Sequence, residues 1–595
     1  MSSQLLSSSF TGASSACLLR RRECPDRRGH STRVACRKGG DDRKEPLQQQ
    51  QSPLLVDRRD MLLGLGGLYG VAASTAPNVI ASPIMPPDLS SCRKGEADAP
   101  VFDGKCCPPY DGTETIYDYD FPKTALRVRR PAHVVKHDPV YVKKYHDAVS
   151  KMKALSEDNP WSFIQQAKIH CQYCNNAYFQ NDSTAYMQVH NSWIFLPWHR
   201  YYLHFFERIL GSLIGDDTFA LPYWNWDQEV GMPFPEIFQD QSLAIYDEFR
   251  NQDHVTSGKP VDLKYFGTET TLTPEELVQQ NLCLVRTAFR QSITSAETFM
   301  GKPLNADGTT EGPGQLESIH NTGHLWVGTR GPNREDMGHL STAARDCIFY
   351  CHHSNVDRLW DVYRHFRGHV PEFDDTDWLD STFVFMSENK KLVKVKVRDS
   401  LDTEKLGYTY ERVPLPWLGK LTNCEETAET LAAVEQNVPK TPVAEFGKKP
   451  RDLVAGTPLR VLVSRPKKNR KKKEKKEKVE MLEIENIKVS TNEIAQFDVF
   501  VRVPSDGGLV GPGLGQYAGC YSRLPHGKKS PSDKGKSPKV VKNLARLRLG
   551  LSSLLEDIEA EDADKLVISL VLRAGEASVG GVSINLVKTD AVATI

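Results

Sequence analysis

The sequence has no net charge. Its 76 lysines and arginines balance 76 aspartates and glutamates over 595 residues. Nothing therefore draws the chain as a whole to a polyanion, and no nucleic-acid partner is expected. Internal repeats are absent, which excludes a solenoid. A convincing membrane span is absent too. The one long uncharged run, Met61 to Ala81, holds four glycines and a proline, and no basic stop-transfer cluster follows it. It makes a poor helix, so no integral span is expected in the mature protein.

Acidic residues are scarce at the N-terminus. Residues 1–40 contain eight Ser and seven Arg but only two acids, Glu23 and Asp26. That composition reads as an organelle transit peptide. Arg58 and Arg59 then precede the apolar run, which reads as a second, twin-arginine signal. The pair implies a chloroplast protein passed on to the thylakoid lumen. Residues 1–85 are assigned to these signals. Three of the 13 cysteines (Cys17, Cys24, Cys36) fall in them. A lumen outside the reducing stroma permits disulfides among the remaining ten, whose connectivity spacing does not fix.

What is present is a turn-rich arm, then helical patterns, then strands. Residues 92–125 show little periodicity. From about 138 to 370 helices dominate. "PWHRYYLHFFERILGSLIG" has amphipathic spacing and a stop at Gly215, and "TPEELVQQNLCLVRTAFRQSI" opens on a helix-start pattern. The lysine run 466–480 reads as a solvated loop. Beyond it, "MLEIENIKV", "QFDVFVRVP" and "KLVISLVLRA" alternate as strands do. The expected layout is a mainly α core over 86–420, a linker over 421–480 and a small C-terminal β-sandwich over 481–595.

Histidines concentrate in two clusters. The first supplies His170, His190 and His199; the second supplies His320, His324 and the adjacent pair His352 and His353. His320 and His324 share one helix face at a spacing of four. The residues between them are Asn-Thr-Gly, so the HExxH of a zinc protease is missing. Side chains of adjacent helical residues point about 100° apart, so His352 and His353 cannot both face one ion. A set of imidazoles without matching carboxylates or thiolates suits copper, zinc, iron or nickel and disfavours magnesium and calcium. Two copper ions together can deliver two electrons to dioxygen; a redox-inert zinc pair cannot. Trp193, Phe195, Trp198, Trp326, Phe349 and Trp360 are candidates for a dry shell, although most are expected to be ordinary core.

The motifs resemble those of the plant polyphenol oxidases, which belong with tyrosinases, catechol oxidases and hemocyanins. A copper A signature runs from His190 through Phe195, Trp198, His199, Arg200 and Leu203 to Glu207. A copper B signature runs from Asp346 through Phe349 and His353 to Asp357. The resemblance extends to "DTDWLDSTFVF", to the tyrosine motif Tyr408 to Tyr410, and into the C-terminal strands. It implies a four-helix bundle around a dinuclear site, with copper A on His170, His190 and His199, and copper B on His320, His324 and His353. His352 is then a neighbour pointing elsewhere. It further implies a thioether joining Cys174 to His190 and disulfides Cys92–Cys107 and Cys106–Cys171.

The activity implied is oxidation of o-diphenols to o-quinones as dioxygen is reduced to water. The phenol is expected to stack on His324. Monophenol hydroxylation needs a base, for which Glu317 and Asn321 are the candidates, holding a water. Leu325 is apolar and leaves access open. Leu340 aligns with a position often filled by a gating phenylalanine, which makes the site roomier. Two departures stand out: Ile319 replaces the usual proline before His320, and Cys347 replaces the proline after Asp346, freeing a backbone N–H. The C-terminal domain is expected to cover the pocket in a latent form, with "GQYAGCYSRLPH" (515–526) as the plug. Alternative readings are a specialised oxidase of phenolic biosynthesis, a dioxygen carrier, or a protein that no longer binds copper.

Overall fold

The computed structural model describes residues 83–92, 106–419, 443–504, 516–524 and 544–590, apart from 122, 124, 184, 305–309, 311, 332–333 and 491–492. Residues 1–82 of the expected targeting signals and part of the expected linker lie outside the described residues, whereas Ile84, expected within the signals, is buried in the core. Among the described residues no helix is long and apolar enough to cross a membrane.

Six long helices organise the first part: α1 (Pro139–Lys153), α2 (Phe163–Cys174), α3 (Phe195–Ile214), α4 (Pro274–Ser292), α5 (Gln315–Val327) and α6 (Ile348–Phe366). Local chemistry fixes their ends. Asp138 and Ser162 cap α1 and α2 by accepting from Tyr141 N and Gln165 N. Thr273 and Glu276 form a capping box at α4. Gly215, at φ 68°, ends α3 in the left-handed region that glycine adopts at little cost. The spacing of α3 marks an apolar stripe, but burial extends well beyond it, to 16 of the 20 residues. Two charged residues of this helix, Arg200 and Glu207, point not to water but into an ionic hub.

That hub ties α3 to α6. Asp357 on α6 accepts from Arg200 Nε on α3 at 2.5 Å and from the Tyr408 hydroxyl at 2.6 Å. Arg129 Nη1 lies 3.2 Å from Asp357, and Arg129 Nε lies 2.8 Å from Glu207. Arg127 completes the cluster, 3.1 Å from Glu207. All of these groups are buried. Arg127 and Arg129 come from strand β2 (Arg127–Arg129), which runs parallel to β5 (Tyr408–Tyr410). Three residues of the copper signatures, Arg200, Glu207 and Asp357, are therefore structural. A second, three-stranded sheet is formed by β1 (Ile116–Asp118), β4 (Leu392–Lys396) and β3 (Thr382–Met386), in that order. The cysteine arm carries the two implied disulfides, Cys92–Cys107 and Cys106–Cys171, with Cα separations of 5.7 and 5.4 Å. The second fastens the arm to α2 beside His170.

The C-terminal part is a two-sheet sandwich. One sheet has the order β10 (Gln516–Arg523), β9 (Ala495–Arg502), β12 (Lys565–Ala574), β7 (Leu459–Ser464). The other has the order β11 (Ala545–Gly550), β8 (Lys478–Val489), β13 (Ala577–Val579), β6 (Arg451–Leu453), with β14 (Gly581–Lys588) also on β8. Phe497, Val499 and Val501 pack with Leu482, Ile484 and Leu549 in the core between the sheets. Strand alternation sends Phe500 the other way, where it joins Tyr517, Cys520 and Val571 in the core of the helical part. The first sheet is thus covered on both faces.

The linker expected over 421–480 is too long. β6 and β7 already belong to the sandwich, residues Lys472–Glu477 are helical, and β8 starts at Lys478. The lysines are matched by nearby acids: Lys467 bonds Glu474 at 2.6 Å and Lys468 bonds Asp564 at 2.8 Å. Charge density marked the segment as solvated, which it is, but not as unstructured. Residues 420–442 lie outside the described residues.

Candidate metal centre

Five of the six predicted ligands sit on helices: His170 near the end of α2, His199 in the second turn of α3, His320 and His324 on α5, and His353 on α6. His190 stands in the irregular segment between α2 and α3. The tertiary fold sorts them into two buried groups, His170 with His190 and His199, and His320 with His324 and His353; within each, the ring nitrogens lie within 4.8 Å of one another. In the second group the Nε2 atoms converge, at 2.8 Å for His320 and His324, 3.1 Å for His320 and His353, and 3.2 Å for His324 and His353.

Backbone carbonyls set the rings. His170 Nδ1 pairs with Leu340 O at 2.7 Å, His199 Nδ1 with Phe195 O at 2.8 Å, and His324 Nδ1 with Met337 O at 2.8 Å. A carbonyl can only accept, so each Nδ1 carries the proton and each Nε2 presents a lone pair. Burial pushes the His170 imidazole down to about 3 and that of His324 down to about 4, so both rings are neutral at ordinary pH. Neutral imidazole is the ligating form. The Nε2 atoms of His170 and His199 are buried with no hydrogen-bond partner. Leaving such an acceptor unpaired costs about 1–3 kcal/mol; a metal ion would satisfy it. The all-imidazole donor set, without carboxylate or thiolate, fits a copper pair.

Two phenylalanines close the space. Phe349 lies 4.9 Å from the His170 ring and 4.1 Å from that of His353, and Phe195 lies 4.5 Å from His199 and 4.9 Å from His320. Trp198 packs on His170 and His199. The other three predicted aromatics serve the core: Trp193 meets Phe373 and Trp378, Trp326 stacks on His254, and Trp360 lies under Arg200.

His352 points away from both groups. Its Nε2 faces His320 O at 3.3 Å, and its ring stacks on that of His320 at 5.1 Å. Gly323 makes room for it, since a Cβ there would lie 2.8 Å from His352 Cε1. The glycine of "HNTGH" is thereby explained. Cys347 occupies φ −61°, the value proline would hold, and the Asp346 carboxylate accepts from Ile348 N at 2.9 Å. The turn is kept without the proline.

Glu317 is buried on α5, with Oε1 accepting from Asn191 N at 2.6 Å, next to ligand His190. Burial raises its carboxyl to about 8, opposed by the Asn191 N–H and by Arg523. Asn321 turns to the C-terminal sheet, donating from Nδ2 to Ser522 O at 3.1 Å. Leu340 is buried, and its carbonyl orients His170. Leu325 is likewise buried. Cys174 ends α2 as a buried thiol outside any disulfide.

Sequence reasoning did not single out Gln315, which grips β10. Its Nε2 donates to Cys520 O at 3.0 Å, and its Oε1 accepts from Cys520 N at 3.2 Å. The fit requires Gly519, because a Cβ there would lie 2.6 Å from Gln315 Oε1. The described part of the expected plug segment, strand β10, thus lies along the helix that carries His320 and His324. Only the folded structure shows a side chain pairing with a distant strand edge.

Comparisons with known proteins agree over most of the chain. Residues 160–365 match the family described as the common central domain of tyrosinase, residues 372–422 the polyphenol oxidase middle domain, and residues 450–586 the chloroplastic polyphenol oxidase C-terminal domain. A chloroplastic polyphenol oxidase of Malus domestica is 42% identical over 582 residues, covering 94% of this chain and 93% of the relative. One of Vitis vinifera is 41% identical over 548 residues, covering 89% and 88%. Among solved structures, a latent aurone synthase (polyphenol oxidase) aligns with a TM-score of 0.75 at 35% identity, over 86% of this chain and all of that one. A latent apple tyrosinase aligns at 0.69 with 41% identity, over 79% of this chain and all of that one. With its two histidine triads in place and most of its length matched, this chain belongs to the plant polyphenol oxidase family of tyrosinase-type copper proteins.

Proposed function

We propose that this chain oxidises o-diphenols to o-quinones with dioxygen, and that it is made in a latent form. The observation that carries the reading is the pair of buried imidazole triads facing one another in a dry, aromatic-walled space. Copper A would be held by His170, His190 and His199, and copper B by His320, His324 and His353. The copper pair supplies the two-electron exchange with dioxygen. The protein's part is to hold the six imidazoles, those of His170, His199 and His324 with the proton on Nδ1, to exclude water with Phe195 and Phe349, and to offer the His324 ring as a stacking surface for a planar phenol. Buried Leu340 leaves room beside that surface.

For monophenols, Glu317 is the proton acceptor, acting through a water shared with Asn321. Its burial gives it a proton affinity closer to that of a phenol than an ordinary carboxylate has. A thioether between Cys174 and His190 would fix the one ligand that no helix holds. Latency follows from β10, which covers α5 and occupies Asn321. The names of the relatives support a chloroplast setting, and the twin arginines support the thylakoid lumen.

A second reading, a specialised oxidase of phenolic biosynthesis, draws on the similarity to latent aurone synthase. The test is turnover by protease-activated, copper-loaded protein on a panel of catechols, tyrosine-like monophenols and larger plant phenolics. Catechol turnover with two coppers per chain is expected. Activity confined to one larger phenolic would favour the second reading, and no dioxygen consumption with any phenol would overturn both.

A further inference from the structure

Five ligands inherit their positions from helices, whose backbone hydrogen bonds fix them. His190 does not, and something else must place it. The nearest candidate is two residues away. Gln188 is buried, 7% exposed, and both ends of its amide are engaged. Its Oε1 accepts from His190 N at 3.0 Å, and its Nε2 donates to Cys174 O at 2.9 Å. A single side chain therefore joins the last residue of α2 to the ligand, Gln188 reaching back 14 positions to Cys174. The Cys174 carbonyl is one of the four that a helix end leaves without an intrahelical donor, so the bond satisfies a group that would otherwise be buried and unpaired. The next amide is held as well, since Asn191 N donates to Glu317. Asn191 takes a positive φ of 59°, the bend that turns the segment toward α3.

We propose that Gln188 is the positioning residue of the copper A segment: its amide joins Cys174 to His190, setting this ligand on its triad and holding the Cys174 thiol beside the ring it is to modify. The proposal rests on the copper and thioether reading above. In the linking step an S–C bond forms while the Cys174 S–H bond and one ring C–H bond break. Two protons and two electrons leave, and dioxygen, the family's own oxidant, takes them up.

The experiment uses the full chain with Gln188→Ala and Gln188→Glu. Glu keeps the acceptor for His190 N but loses the donor to Cys174 O. Three quantities are read: copper per chain, the fraction of linked Cys174–His190 peptide by mass, which is lighter by two hydrogens, and the melting temperature of the metal-free protein. For Gln188→Ala we expect copper A bound about 10–100-fold more weakly, the usual size of an outer-shell loss, and a linked fraction that lags wild type during copper loading. For Gln188→Glu we expect copper retained and linking slowed. Wild-type copper affinity and linking rate in both variants would overturn the proposal. A wild-type chain with no linked peptide would refute the thioether reading alone, and the copper affinity of the variants would still decide the role of Gln188. Should Gln188→Ala fail to fold, as its metal-free melting would reveal, Gln188→Glu decides by the same readings.

Discussion

The rings of His199 and His353 lie face to face, 4.3 Å between centres and 9° between planes. One belongs to each triad, so this stack brings the two metal positions together. It joins α3 to α6, the same helices that the Asp357 hub clamps further along their length. Ligand geometry and fold stability are thus coupled through one helix pair.

The first prediction separates the adjacent histidines. His353→Ala should lose copper B and fall toward one copper per chain. His352→Ala should keep two coppers, because that ring faces a carbonyl rather than the triad. Metal analysis of purified protein decides it, and the opposite pattern would reverse the assignment.

Glu317→Gln keeps the shape of the side chain and removes the base. Monophenol hydroxylation should fall by about 10²–10⁴-fold, the usual contribution of general base catalysis. Catechol oxidation should change little. Comparing the two rates on one preparation checks it; equal losses would make Glu317 structural.

Asp357→Asn leaves two buried guanidinium groups short of a counter-charge. Breaking such a buried network costs about 3–5 kcal/mol, to be read by denaturant unfolding. Burial by itself raises the Asp357 carboxyl, but Arg200 and Arg129 and the two tyrosine hydroxyls outweigh it, and the net direction is down. A carboxylate lowered in the folded state adds stability that is fully present above its unfolded value of about 3.9. That stability is lost as pH falls through the lower folded value. Wild type should therefore lose stability in acid more steeply than Asp357→Asn.

Asp498 on β9 lies 3.1 Å from Lys264 of the helical part and 2.8 Å from Arg573. Burial raises its carboxyl, and the two cations more than offset this, holding it below the ordinary range. The sign is the same as for Asp357: the anchor persists at neutral pH and fails only in acid. Lys264→Ala should raise catechol oxidation by the unactivated protein at neutral pH and shrink the extra activity gained on acidification. Unchanged latency would place the hold of the cover elsewhere, on Gln315 and Asn321.

Much of this was legible beforehand because it is local. The 3.6-residue repeat put His320 and His324 on one face, a helix-start pattern marked α4, and alternation marked β9 and β12. The resemblance of the two motifs to the copper signatures implied all six ligands. What was not legible depends on residues far apart in the chain. The signatures list Arg200, Glu207 and Asp357 beside the histidines, and only the buried network that they form with one another, Arg129 and Tyr408 shows them to be structural. The strands Arg451–Leu453 and Leu459–Ser464 were hidden by the charged run that follows them.

By itself the sequence determined the donor set: six imidazoles without matching carboxylates or thiolates, which suits copper, zinc, iron or nickel, the choice of copper being implied by the resemblance of the motifs. The tertiary structure alone decided which nitrogen of His170, His199 and His324 faces inward, through carbonyls at Leu340, Phe195 and Met337. It also decided that His352 turns away and that β10 lies over Asn321. The physical reason is the range of the interactions. Ligand chemistry is a property of side chains and can be read in sequence order. A tautomer or a cover is set by hydrogen bonds between segments that meet only when the chain has folded.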